Sequence, residues 1–290
     1  MKKVAITTDS VAYMPAETAK EYGITLISTH VVIDGKTNYE TELDLDWFYG
    51  KMFKWKEEDR LPTTSSPSTD DYLKAFRSLS KEAESIICLA YSSKLGMAAS
   101  AASQAKAKLQ DELPDTRIEI IDVQSACGPQ ILIAVEAARA AAAGKEIPEI
   151  LDLINDLIYR MNHILISDNL YYLAKGGRIH RARPWASSRI TNSVILEMDT
   201  RTNGEHAPLA RCRTKGDIMK TVMDLIDKRS GGKKLHFVIS HADVPAEAEE
   251  LREIITGKFD CAEVYMSRIG PLVTTHVGLG TRMLSWWAEE

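Results

Sequence analysis

Cysteine is scarce in this 290-residue sequence, which has only Cys88, Cys127, Cys212 and Cys261. They are far apart, and none forms a C-x-x-C pair or stands at a Cys/His spacing that suits a metal, so a cysteine-built metal module is excluded and no metal is expected. Three fall in or beside apolar segments, where a free cysteine behaves as a small hydrophobe. A reducing compartment, the cytoplasm, is the expectation. No apolar run approaches the roughly 20 residues that span a bilayer. The opening MKKVAITTDS turns polar at Thr7 with no long apolar stretch, so it reads as a first strand and not as a signal peptide. Positive charge is in deficit: 36 Lys and Arg stand against 41 Asp and Glu, a net charge of −5. That is a poor balance for neutralising phosphates, and no nucleic-acid partner is expected.

The common catalytic signatures are missing too. There is no G-x-x-x-x-G-K-[S/T] phosphate loop, no G-x-S-x-G elbow and no H-E-x-x-H. Gly278-Leu279-Gly280 has Met283 where a dinucleotide fingerprint needs its third glycine. A Ser93–His276–Asp9 triad could be assembled on paper, but nothing in the spacing supports it. With 44% hydrophobic and 27% charged residues, the chain has the composition of a folded protein.

What is present is an alternation of short apolar runs with amphipathic stretches. Strands are expected at Val4–Thr8, Ile24–Ile33, Ser85–Tyr91 and Arg117–Val123. Helices are expected at Pro15–Tyr22, Asp44–Trp55, Ala98–Leu109 and Ile131–Ala143, the last ended by Gly144. Lys56–Pro67 reads as a charged, proline-bounded loop, after which Ser68 and Asp71 make a capping box opening a helix to Leu79. Pro148–Met161 carries an apolar stripe from Ile150 to Met161 at helical spacing. This half predicts βαβ units on a parallel sheet. Beyond it, Ser193–Met198 and His206–Arg211 read as antiparallel strands around Asn203-Gly204. Lys215–Ser230 and Val244–Ile255 read as helices, His236–Ser240 and Ala262–Met266 as strands, and Gly278–Trp287 as a closing helix. The expected fold is α/β. It has an N-terminal domain, residues 1–162, with a parallel sheet flanked by helices. A second, smaller α/β (α+β) domain follows at residues 163–290.

Ligands of open parallel sheets bind beyond the carboxyl ends of the strands. There the sequence concentrates hydroxyls: Thr7-Thr8-Asp9-Ser10, Pro62-Thr63-Thr64-Ser65-Ser66-Pro67 and Tyr91-Ser92-Ser93. Hydroxyl and backbone N–H donors at helix starts suit a carboxylate or a phosphate, although the same residues also serve as N-caps and turn formers. Arg178, after a glycine pair, could offer a planar fork to an anion. His276, read as lying at a strand-to-helix turn, could donate to an anion or shuttle a proton. His241 reads as a structural cap.

Taken in order, Thr8-Asp9-Ser10, Pro62 through Pro67, Ser92-Ser93-Lys94-Leu95, Lys175-Gly176-Gly177-Arg178-Ile179, and Gly270-Pro271 through His276 to Gly280 resemble the DegV family over nearly the whole chain. The resemblance implies a bacterial fatty-acid-binding protein. It would be the subunit that buries a long-chain fatty acid and presents its carboxylate to a separate ATP-dependent fatty acid kinase, which makes acyl phosphate. It implies that Thr63, Thr64, Ser65, Ser92, Ser93 and His276 serve the carboxylate. Arg178 and His276 would line the mouth and serve phosphate transfer or kinase docking. It implies no cofactor, no catalysis by the chain alone and no membrane span, with transient membrane contact left open. The alternative is a stand-alone transferase or hydrolase acting on an anionic substrate through His276. The chain departs from the family pattern at Gly96-Met97-Ala98, where Ser-Gly-Thr is usual, and at His180, where serine is frequent.

Overall fold

Burial of apolar runs on both faces organises the first half of the chain. In the computed structural model, which describes residues 2–168, 170–186 and 193–290, β1 (Lys2–Asp9) is exposed at its first two residues and buried from Val4 onward. It is followed by α1 (Ala16–Tyr22), β2 (Thr25–Ile27), β3 (His30–Ile33), β4 (Lys36–Tyr39), α2 (Leu45–Glu57), β5 (Thr63–Ser65), α3 (Thr69–Leu79), β6 (Ala83–Ala90), α4 (Ala98–Leu109), β7 (Arg117–Asp122), α5 (Gly128–Ala142) and α6 (Ile147–Arg160). Strands β2-β1-β6-β7 form a wholly parallel sheet. One of its faces packs on α3 and α4 through Tyr72, Phe76, Ala102 and Leu109. Ser68 and Asp71 form the expected capping box: the Ser68 hydroxyl accepts from the Asp71 N–H at 3.2 Å, and the Asp71 carboxylate accepts from the Ser68 N–H at 2.8 Å.

The second half contains β8 (Asn162–Ser167), α7 (Tyr171–Lys175), α8 (Arg183–Ala186), β9 (Ser193–Glu197), β10 (Ala207–Cys212), α9 (Lys215–Ser230), β11 (Leu235–His241), α10 (Pro245–Lys258), β12 (Cys261–Arg268), α11 (Pro271–Val277) and β13 (Arg282–Ala288). Its six-stranded sheet runs β10-β9-β8-β13-β11-β12, with only β11 and β12 parallel. β9 and β10 pair antiparallel as expected, with Asn203 and Gly204 both at positive φ in the connection. α9 and α10 cover one face of this sheet.

α5 lies between the two sheets. It is apolar around most of its circumference, as a helix buried on all sides must be. Its residues share one core with Val4, Ile6, Ile87 and Leu89 of the parallel sheet and with Val238 and Trp287 of the mixed sheet. A Cβ on Gly128 would lie 2.3 Å from the Ser285 hydroxyl oxygen and 3.0 Å from Val238 Cβ, so the start of α5 rests directly on β13 and β11.

The structure corrects the sequence reading at three elements. Gly278–Trp287 is not a helix: Arg282–Ala288 is a strand, hydrogen-bonded on both sides in the middle of the mixed sheet. Both its faces are buried, which erases the alternation that marks a strand. Ile24–Ile33 is not one strand. It breaks at Ser28-Thr29, where the Thr29 N–H donates to the Ser10 hydroxyl at 2.9 Å and the Thr29 hydroxyl donates to Glu40 at 2.7 Å. β3 instead joins β4 and β5 in a small antiparallel sheet. Lys56–Pro67 is therefore not all loop, because Thr63–Ser65 pairs with β3. Three hydroxyl residues show no apolar period from which a strand could be read.

Candidate functional site

Where α11 and the small sheet meet the mixed sheet, the structure forms a cavity of about 340 Å³, within the range of small-molecule sites. Most of its wall is apolar, with Val11, Leu95, Leu173, Met198, Leu272 and Met283 among the contributors. Its polar groups are few: Thr64, Ser65 and Ser66 from β5 and the turn after it, Tyr91, Arg178, and the imidazoles of His163, His206 and His276.

His276 is not at a strand-to-helix turn but in the last turn of α11. The hydroxyls beside it do not face a ligand, because Thr275 donates to the Pro271 carbonyl at 2.9 Å and Thr274 to the Ile269 carbonyl at 3.0 Å. The helix start is held by Glu40, whose carboxylate accepts from the Leu272 N–H at 2.9 Å, and by the Tyr13 hydroxyl, which accepts from the Val273 N–H at 3.0 Å. Thr64 comes to His276 through pairing of β5 with β3. Its Oγ1 stands 2.7 Å from His276 Nε2. The other ring nitrogen is buried without a hydrogen-bond partner and lies against Gly176. Burial, reinforced by the nearby Arg178 and His206, pushes the His276 pKa down to about 3, so the ring is neutral at physiological pH.

Arg178 lines the same cavity. It donates from Nη1 to the Gly176 carbonyl at 2.6 Å and from Nε to the Leu95 carbonyl at 3.4 Å, which leaves the remaining N–H groups of its fork for an anion. Ser66 hydrogen-bonds Tyr91 Oη at 2.6 Å and accepts from the Met97 N–H at 2.9 Å, so the turn after β5 is tied to the segment after β6. Gly96 permits this approach, since a Cβ there would lie 2.1 Å from the Tyr91 hydroxyl. Beneath it, the buried Asp9 accepts from the N–H groups of Tyr91 at 2.9 Å and Val11 at 3.2 Å, both cavity residues. Burial outweighs these bonds and raises the Asp9 pKa to about 7. Cys127 also lines the cavity, but burial pushes its thiol well above the ordinary range, so it is no nucleophile.

Of the residues singled out from sequence, Thr64, Ser65, Arg178 and His276 therefore share one cavity. The structure does not bring Thr63, Ser92 and Ser93 into its wall. Thr63 is exposed on β5. The Ser92 hydroxyl donates to the Gly204 carbonyl at 2.9 Å, and Ser93 is exposed, with its N–H on Asp122. His241 is a cap, its Nδ1 accepting from the Val244 N–H at 3.3 Å ahead of α10. Sequence reasoning passed over His163 and His206, and took Tyr91 only as part of the Tyr91-Ser92-Ser93 hydroxyl run. A histidine at the start of the apolar run Asn162–Ser167 was the one signal available for His163.

The Gly176 contact yields a direct test of this geometry. A Cβ at Gly176 would stand 2.2 Å from His276 Nδ1, and the Gly176 φ of −77° accepts alanine without strain. Gly176→Ala is expected to push the ring off Thr64 and into a wetter position. In NMR titrations its pKa should then rise from about 3 toward the ordinary value of about 6.5. A His276 signal that still fails to titrate above pH 5 would refute the contact.

Comparison with known proteins agrees with this architecture. A family profile described as "Uncharacterised protein, DegV family" matches residues 3–289. A DegV domain-containing protein of Halalkalibacterium halodurans is 31% identical over 296 residues, covering 100% of both chains. Among solved structures, the Bacillus subtilis DegV, described as a fatty acid binding protein, superposes with a TM-score of 0.85 at 27% identity over 100% of both chains. A Thermotoga maritima protein described as revealing fatty acid binding function gives a TM-score of 0.85 at 26% identity, again over 100% of both chains. No helix among the described residues is long and apolar enough to cross a membrane. With the profile and the relatives spanning essentially its whole length, the chain belongs to the DegV family.

Proposed function

We propose that this chain binds a long-chain fatty acid, with the acyl chain in the apolar cavity and the carboxylate beside Thr64, Ser65, Arg178 and His276. The chain is not catalytic alone. In the cytoplasm it presents the carboxylate to a separate ATP-dependent kinase, which makes acyl phosphate. The observation that carries the binding reading is the cavity: a largely apolar wall with the Thr64–His276 pair and the Arg178 cation on it. The fatty-acid-binding relatives support the same ligand class.

The energetics are consistent. Each buried methylene contributes about 0.8 kcal/mol, so 15 of them contribute about 12 kcal/mol before the cost of association. A buried carboxylate requires hydrogen bonds. If His276 carries its proton on Nε2, the ring donates to Thr64 Oγ1 and the threonine proton is free to donate to the ligand. The buried Nδ1 is then left as a bare lone pair, the cheaper kind of orphan. The reading as a stand-alone transferase or hydrolase fares worse. A catalytic imidazole needs a group on its second nitrogen to orient it and to stabilise its charged form. His276 Nδ1 has none among the described residues, and burial opposes the imidazolium.

Native mass spectrometry and lipid extraction of the purified chain test this reading, with one long-chain fatty acid per chain as the expected result. Combining Thr64→Val with His276→Leu should weaken retention about 10- to 100-fold, the value of hydrogen bonds to a charged group. A bare chain that also refuses added fatty acid would overturn the proposal.

A further inference from the structure

His163 is buried on β8, and its Nε2 faces no hydrogen-bond partner. The residue lines the same cavity as Thr64 and His276. Its ring is oriented from behind, because Nδ1 stands 2.8 Å from the Ser285 hydroxyl and Ser285 is itself buried under the start of α5. The nitrogen left over is therefore Nε2. A buried polar atom with no partner costs stability, and it calls for a ligand group that can meet it.

His206 is a second imidazole of the same cavity wall. It belongs to the connection into β10, next to Met198, whose N–H donates to the His163 carbonyl at 3.1 Å. Its Nδ1 lies 3.0 Å from the Arg178 carbonyl, which can only accept, so the proton is on Nδ1 and Nε2 carries a lone pair. The Ser285 hydroxyl can donate to His163 Nδ1, which puts that ring's proton on Nε2. The wall then offers one N–H donor and one lone-pair acceptor. Burial holds both rings neutral, with pKa values of about 3 for His163 and about 4 for His206. A second carboxylate would find an acceptor opposing it and no charge to meet it. A hydroxyl, which both donates and accepts, suits a wall that offers one of each.

We infer that the cavity selects a hydroxylated long-chain fatty acid, whose hydroxyl is recognised by His163 and His206. This deepens the fatty-acid reading and rests on it. A wall built to hydrogen-bond a hydroxyl rejects the analogue that lacks it, because its polar groups are then left unpaired.

The test is a set of equilibrium binding measurements on the delipidated full-length chain. Octadecanoic acid is compared with monohydroxyoctadecanoic acids whose hydroxyl is stepped along the chain. At least one positional isomer should bind about tenfold tighter than octadecanoic acid, the worth of about one good buried hydrogen bond. His163→Leu should reverse that order, weakening the hydroxy acid and tightening the unsubstituted one. His163→Gln, which keeps an amide donor at the reach of Nε2, should preserve the preference. A chain that binds octadecanoic acid at least as tightly as every isomer overturns this inference alone. So does a hydroxyl preference that survives in His163→Leu. A chain that binds none of these acids fails the fatty-acid reading, and this inference falls with it.

Discussion

Replacing Trp286 with alanine is expected to lower the unfolding free energy by about 3–5 kcal/mol, the range for removing a buried tryptophan. Trp286 is 0% exposed at the centre of β13. It pairs in register with Phe237 of β11, their ring centroids 5.5 Å apart and their planes 11° apart, and with Asn162 of β8 on the other side. It shares one core with Val222, Ile226, Leu251 and Ile255 of α9 and α10, so the cavity left by alanine lies between helices and sheet with little means to collapse. Trp286→Phe is the informative control. The indole N–H is buried without a partner, so phenylalanine gives up volume but also removes an orphaned donor, and it should cost well under half as much. Urea denaturation of the two variants measures both. An alanine variant within about 1 kcal/mol of the parent would mean that this residue is not in the core.

The second large effect is expected from acid. His163, His206 and His276 are neutral in the folded chain, with pKa values of about 3, about 4 and about 3. Unfolded, each would take a proton below about pH 6.5. Between about pH 6.5 and 4 the unfolded chain therefore binds three more protons through these rings, and stability falls as pH falls. Asp9 acts in the opposite sense. Its folded pKa of about 7 lies above the ordinary 3.8, so in the same window the folded chain holds a proton that the unfolded chain has lost. For these four groups the balance is two protons, or about 2.8 kcal/mol per pH unit at about 1.4 kcal/mol per proton. Acidifying from pH 6.5 to 5 should remove on the order of 4 kcal/mol. Denaturation midpoints followed across this range test it, and removing one histidine, as in His163→Gln, should flatten the slope by about one proton. A flat profile would mean that these imidazoles are already hydrated or charged in the folded state.

Much of the local structure was legible. The Ser68–Asp71 capping box, the helix Lys215–Ser230 and the turn at Asn203-Gly204 all rest on interactions within a few residues, and the structure places them where the sequence puts them. The motif order was enough to point to the family. Thr64, Ser65, Arg178 and His276 were legible as candidates because each is a polar residue in a glycine-, serine- or proline-marked segment. The elements that were misread depend on distant partners. Arg282–Ala288 is a strand because β8 and β11 flank it, and Thr63–Ser65 because β3 lies beside it.

The sequence by itself determined the alternation of strands and helices, the caps and turns that bound many of them, the family, and the residue types available to meet an anion. Short-range hydrogen bonds and periodic burial carry that information. Only the tertiary structure decided that α5 lies between two sheets and that β13 is a strand. It also brought Thr64 to His276 across 212 positions of sequence, and it gave Ser92 to the Gly204 carbonyl and not to the cavity. His163 and His206 became cavity residues in the same way. Each of these depends on which distant backbone a segment pairs with, and pairing at long range is settled by the packing of the whole chain.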